Sequence, residues 1–225
     1  MAKTIENLFV YLVFITDILV LLFFIINYSN CKKHKTIIAI VSYCTLDILV
    51  NLIAEFSSSN RLVYISYAFF TAYEYSVFAF ILSINIKNKI FKKVITAVSF
   101  VFILFLFGYY STSNPRSIDS IPIGIETILI IMYSFYYLYE QMNNTNELFI
   151  YSKYQFWIIV GIMLYLAGSF FIYIFANQVD RVMLDNFWFL TMVFYVIKNI
   201  FFCIGIYNVI NIKNKKNKIL KPYLN

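Results

Sequence analysis

Charge is scarce in this sequence, and residues that break helices are scarcer. Asp, Glu, Lys and Arg make up 13% of the 225 residues, against roughly a quarter in a soluble domain. With 62% of its residues hydrophobic and a mean hydropathy of +0.77, a core of this size cannot hide the apolar surface. Lipid must be the solvent for much of the chain. Glycine occurs five times and proline three times, which disfavours the broken helices that transporters use to hold ions. The three cysteines, Cys31, Cys44 and Cys203, fit no zinc or disulfide spacing and read as packing residues or reduced thiols. His34, the one histidine, sits in Lys32-Lys33-His34-Lys35 and reads as a solvated loop residue. No metal-ligand cluster, Gly-rich phosphate loop or nucleophile motif is visible, so no metal or other cofactor is expected.

What the chain does have is seven apolar runs long enough to cross a bilayer at 1.5 Å per residue. They cover roughly 6–28, 36–56, 62–86, 91–111, 121–142, 154–177 and 186–210. The first is too long for a cleaved signal peptide and has no small-residue cleavage site, so it reads as a retained span. Pro115 and Pro122 bracket the entry to the fifth span. Gly161 and Gly168, seven apart in the sixth, predict a close-packed helix seam. The fold class expected is an all-α, polytopic membrane bundle of seven transmembrane helices over residues 1–212, followed by a basic tail, 213–225.

The formal net charge of +7 would suggest nucleic acid in a soluble protein. Here the lysines lie beside the spans, where they set orientation. One side collects Lys32, Lys33 and Lys35, then Lys87, Lys89, Lys92 and Lys93, then Lys153, and finally Lys213, Lys215, Lys216, Lys218 and Lys221. The other side has Lys3, Arg61, Arg116 and Arg181. The bias predicts an external N-terminus and a cytoplasmic C-terminus, with the protein multi-pass in a cell inner membrane. The tail at Lys213–Lys221 is expected to lie on anionic lipid, at about 1 kcal/mol per basic residue. The repeat Ile84–Lys89 and Ile210–Lys215 reads as compositional coincidence in a chain rich in Ile, Asn and Lys, as does the aromatic fraction of 21%.

Four charged residues lie near the middle of the spans, where each costs at least about 2.5–3.5 kcal/mol to insert. They are Asp17, Asp47, Glu74 and Lys198, in the first, second, third and seventh spans. Each is roughly 10–13 residues from the outer end of its helix, which predicts a single polar layer near the midplane whose members face one another. Glu126 sits nearer the outer surface. Polar companions recur at helical spacing: Tyr43 and Asn51 beside Asp47, Tyr67 and Thr71 beside Glu74, Tyr165 in the sixth span, Tyr195 and Asn199 beside Lys198. A structural network would pair Lys198 with Glu74 or Asp47. Three central carboxylates against one lysine leave acids over, which points to a ligand, ion or proton site.

The chain also resembles a family of uncharacterised bacterial seven-helix membrane proteins. The matching segments are Tyr-Glu-Tyr-Ser around Glu74, Ile-Glu-Thr around Glu126, and Gln155-Phe156-Trp157 followed by Gly161, Tyr165 and Gly168. Phe187-Trp188 and Lys198-Asn199-Ile200-Phe201 with Gly205 complete them. Gln155 stands where that family often has proline. The resemblance implies a shared pattern of Glu74, Glu126, Trp157, Tyr165 and Asn199, and no activity.

The function expected is a sensory or signalling module with an intramembrane ligand or proton site, acting through a separate cytoplasmic or membrane partner. A small proton- or cation-coupled transporter is the alternative. Lys198 with Glu74 as counterion also has the layout of a retinal protein, but Phe194 stands where an acid is usual. Glu74 and Asp47 could serve as acid and base in an intramembrane enzyme, but histidine and a serine elbow are missing.

Overall fold

The computed structural model describes residues 2–112, 120–143, 150–175, 178 and 181–220. Among them every regular element is helical. The eight α-helices are α1 (Ala2–Ile26), α2 (Tyr28–Cys31), α3 (Lys35–Phe56), α4 (Asn60–Asn85), α5 (Lys89–Thr112), α6 (Ser120–Met142), α7 (Tyr154–Phe175) and α8 (Arg181–Leu220), with one 3₁₀ turn at Ile150–Ser152. Seven are long and apolar enough to cross a membrane: Leu8–Ile26 of α1, all of α3 to α7, and Phe187–Asn211 of α8. The chain is therefore a multi-pass helical membrane protein by length and composition. The expected spans differ from these by a few residues at each end.

Six spans close a ring in which neighbours pack in the order α4, α3, α1, α8, α7, α6 and back to α4, while α5 packs on the outside of α4. The turn between α4 and α5 is short and held by side-chain caps. Between α4 and α5, the Glu140 carboxylate at the end of α6 accepts the backbone N–H groups of Lys87 and Asn88 at 2.6 and 2.8 Å. Asn88 Oδ1 accepts the N–H of Ile90 at 2.8 Å, and its amide donates to the Tyr136 hydroxyl at 2.8 Å. These bonds satisfy N–H groups left open at the start of α5. Phe91 stacks on Tyr136 at 3.6 Å and fixes α5 against α6 at that end.

Glycine decides the closest approach. A Cβ on Gly161 would stand 2.6 Å from Phe201 Cβ, one on Gly168 would run into the Phe194 ring, and one on Gly205 would stand 2.7 Å from Ile158. The expected seam is therefore an α7–α8 interface, with Gly205 contributing from the α8 side, the small-residue packing that lets membrane helices touch. Toward lipid, α1 and α5 expose large apolar side chains such as Tyr11, Ile26, Phe100 and Phe107, as a bilayer solvent permits.

The last helix, α8, continues past its span to Leu220, into the segment expected as a basic tail from 213. The lipid contact expected at Lys213–Lys221 lies outside the described side chains, as do Lys3, Arg116 and Arg181.

Candidate functional site

Inside the ring these polar side chains are buried together among apolar ones. Asp17 is 1% exposed, Asp47 5%, Glu74 8% and Lys198 0%. Tyr43, Thr71, Glu126, Tyr165, Tyr195 and Asn199 are buried with them.

Lys198 is the hub. Its ammonium donates to the Tyr43 hydroxyl at 2.7 Å, and that hydroxyl donates to Glu74 Oε1 at 2.8 Å. Lys198 therefore reaches Glu74 through Tyr43, not by the direct ion pair a simple staple predicts. The Tyr165 hydroxyl also contacts Glu74. Aromatic faces close around the ammonium, with Tyr195 at 3.3 Å, Tyr43 at 4.1 Å, Tyr165 at 4.5 Å and Phe202 at 5.7 Å from ring centroid to Nζ. A desolvated cation over such a face gains about 2 kcal/mol or more, which offsets part of the cost of burying it.

A second acidic group lies on the other side of Lys198, where α1, α3 and α8 meet. Asn199 Nδ2 donates to Asp17 Oδ1 at 2.9 Å and to Thr16 Oγ1 at 3.0 Å. The Tyr195 hydroxyl reaches the same Asp17 oxygen at 3.4 Å, a long bond. Asp47 faces Asp17 from α3 and accepts Asn51 Nδ2 at 2.8 Å. Cys44 packs against Asp17. The layer is thus two acidic sub-sites bridged by one lysine, with Glu126 on α6 beyond the Glu74 side.

Several buried atoms here have no hydrogen-bond partner: Asp17 Oδ2, Asn199 Oδ1, Glu126 Oε1 and Thr127 Oγ1. Such atoms are uncommon in native interiors and each demands an explanation, such as an ion or water.

The expected supporting residues divide. Asn51 is exposed and only its amide reaches inward, to Asp47. Tyr67 is 43% exposed, although its hydroxyl still feels the charge of Asp47. Thr71 is buried, yet its hydroxyl donates to the Tyr67 carbonyl of its own helix, as Ser134 and Ser169 also bond their own helices. Residues not singled out in advance are Cys44, Thr16 and Phe202. Thr16 had a readable signal, being polar and adjacent to Asp17 in an apolar run. Phe202 follows Lys198 by four residues, one helical turn.

His34, expected in solvent, is partly buried at the head of α3, with Nδ1 3.2 Å from the Tyr154 hydroxyl and the rings edge to face. Burial lowers its pKa from the ordinary 6.5. Burial likewise raises the Cys31 thiol in α2.

Two clefts lie away from the layer. One of about 410 Å³ runs between α3 and α4, lined by Lys35, Ile38, Ala39, Ser42, Val77 and Phe80 among others. The other, about 350 Å³, lies at Lys87, Asn88, Tyr136 and Glu140.

Compared with known proteins, the chain matches no family model, no curated protein and no solved structure. The resemblance to the bacterial seven-helix family is carried by its short motifs alone.

Proposed function

We propose that the protein is a sensory or signalling module of a cell inner membrane, with its C-terminus in the cytoplasm. The buried layer of Asp17, Asp47, Glu74 and Lys198 is its receiving element. One observation carries the reading. The helix that supplies Tyr195, Lys198 and Asn199 to the layer is the same unbroken helix that runs past its span to Leu220. A change in occupancy of the layer alters the bonds that hold α8 to α1 and α3. An α-helix without a break transmits such a shift along its axis to the basic end, where a cytoplasmic partner would read it.

The continuity of the spans favours this reading over transport, because carriers commonly hold ions at interrupted helices near the midplane. The test joins two measurements on the full chain in liposomes. Hydrogen exchange of residues 212–220 should change in Glu74→Gln and Lys198→Met relative to wild type, while imposed proton and Na⁺ gradients dissipate no faster than in empty vesicles. Unchanged exchange in both variants sinks the signalling reading. Flux above that of empty vesicles, lost in Glu74→Gln, replaces it with a carrier.

A further inference from the structure

We propose that the cleft between α3 and α4 is a binding site for one anionic phospholipid of the surrounding bilayer, with an acyl chain along the cleft and the phosphate on Lys35. The site stands apart from the polar layer and does not rest on the sensory reading.

The cleft holds about 410 Å³, and its lining runs along α3 from Lys35 to Ser42, a rise of about 10 Å. Ala39 and Val77 are buried at its floor, while Ile38 and Phe80, 45% and 47% exposed, stand at its rim toward lipid. The two hydroxyls in the lining turn to their own helices. Ser42 donates to the Ala39 carbonyl at 2.8 Å and Ser76 to the Ala72 carbonyl at 2.7 Å. Neither hydroxyl proton is left to call for a polar ligand, so the trough is apolar between its ends. Its one charged residue, Lys35, closes one end. There the Asn85 amide donates to the Thr36 hydroxyl at 3.0 Å, which sets the end of α4 level with the start of α3. Lys35 therefore stands where the span meets the headgroups, and the trough runs inward from it.

An apolar trough that ends in a cation matches an amphiphile with a negative head. Lys35 is exposed, and among the described residues nothing bonds its ammonium. Lys32 and Lys33, also exposed, precede it closely in the chain. Glu140, the described acid at this end of the bundle, is already engaged by the N–H groups of Lys87 and Asn88. Helix α3 starts at Lys35 with no side-chain cap and no acid in its first turn, so its dipole adds to the attraction for an anion. Selection rests on the head, because lipid chains are as apolar as the trough and gain little by entering it. A second copy of the chain fits less well. Copies in one bilayer share an orientation, so a symmetric pairing across this face would set Lys35 against Lys35. A phosphate removes that repulsion.

The experiment is native mass spectrometry of the full chain in mild detergent, titrated with phosphatidylglycerol or with phosphatidylcholine of the same acyl chains. Wild type should retain one phosphatidylglycerol at least about fivefold more tightly than phosphatidylcholine. Lys35→Gln should lose that preference. Ser42→Phe, which fills the trough from an exposed position, should weaken both lipids. Lys93→Gln alters an exposed lysine near the start of α5, outside the cleft lining, and should bind as wild type does. Equal retention of the two lipids by wild type overturns the proposal. So does a loss in Lys93→Gln as large as that in Lys35→Gln, which is diffuse attraction to a basic surface. A dimer that Ser42→Phe disrupts, with no lipid retained, makes the trough a contact between copies and overturns it too. If Ser42→Phe does not fold, Lys35→Gln decides: a preference that survives it overturns the site, and one that vanishes while Lys93→Gln keeps it supports the site.

Discussion

Tyr43→Phe isolates the bond on which the two halves of the layer depend. The substitution keeps the ring that lies 4.1 Å from Lys198 Nζ and packs on Phe78 at 5.1 Å. What it removes is one oxygen, which accepts from Lys198 at 2.7 Å and donates to Glu74 at 2.8 Å. A donor in a residue 0% exposed and an acceptor in one 8% exposed are each left a partner short. Leaving a buried polar group unsatisfied costs about 1–3 kcal/mol in soluble proteins. Hydrogen bonds between membrane helices measure nearer 0.6 kcal/mol, with a maximum of about 1.7. Two lost bonds therefore predict a destabilisation of about 1–3 kcal/mol, read from reversible unfolding in mixed micelles. The cycle with Glu74→Gln sharpens the test. Once the bridging hydroxyl is gone, the second change should cost at least about 0.5 kcal/mol less than it does alone, because contacting residues are not additive. A Tyr43→Phe protein as stable as wild type, or strict additivity with Glu74→Gln, would falsify the bridge.

The glycines give a graded series. Gly161→Ala should destabilise by about 1–3 kcal/mol in the same micelle assay, because the new Cβ meets another Cβ at 2.6 Å. Gly108→Ala, with nothing within 4 Å, should be neutral or gain up to about 1 kcal/mol from helix propensity. Glu140→Ala should cost about 0.5–2 kcal/mol and speed amide exchange at Lys87 and Asn88, whose N–H groups it caps. For His34 the folded form disfavours protonation, so the unfolded chain takes up the proton first as pH falls. Its contribution to stability is therefore present above about pH 6.5 and lost as pH drops through the lower folded value. An NMR titration should place the imidazole below 6.5, and His34→Gln should flatten the acid limb of stability; a His34 that titrates at or above 6.5 refutes this.

The spans were legible because lipid imposes a single requirement, length without charge, on every one of them. The members of the layer were legible for the complementary reason, since an ion inside an apolar run stands out. What spacing could not reveal is how wide the buried arc of each helix is. Asn51 and Tyr67 lie on the expected stripes yet fall at its edge, exposed. Nor does sequence show where a hydroxyl spends itself: Thr71 bonds its own helix, whereas Tyr43 spans two partners. The course of α8 to Leu220 was hidden for another reason. Its apolar pattern ends near Asn211, and a helix that leaves the bilayer no longer needs one.

The glycine seam has a mechanical consequence. Where side chains separate two helices, rotamer changes let one slide on the other. Between α7 and α8 that bearing is thin at the glycines: a Cβ on Gly161 would sit 3.3 Å from the backbone carbonyl of Lys198 itself. The residue that carries the hub charge is thus keyed, by its main chain, to the neighbouring helix. α7 and α8 move as one plank, and any displacement of Lys198 is a hinge of that plank against the opposite wall of the ring, with Tyr43 and Asp17 as the latches.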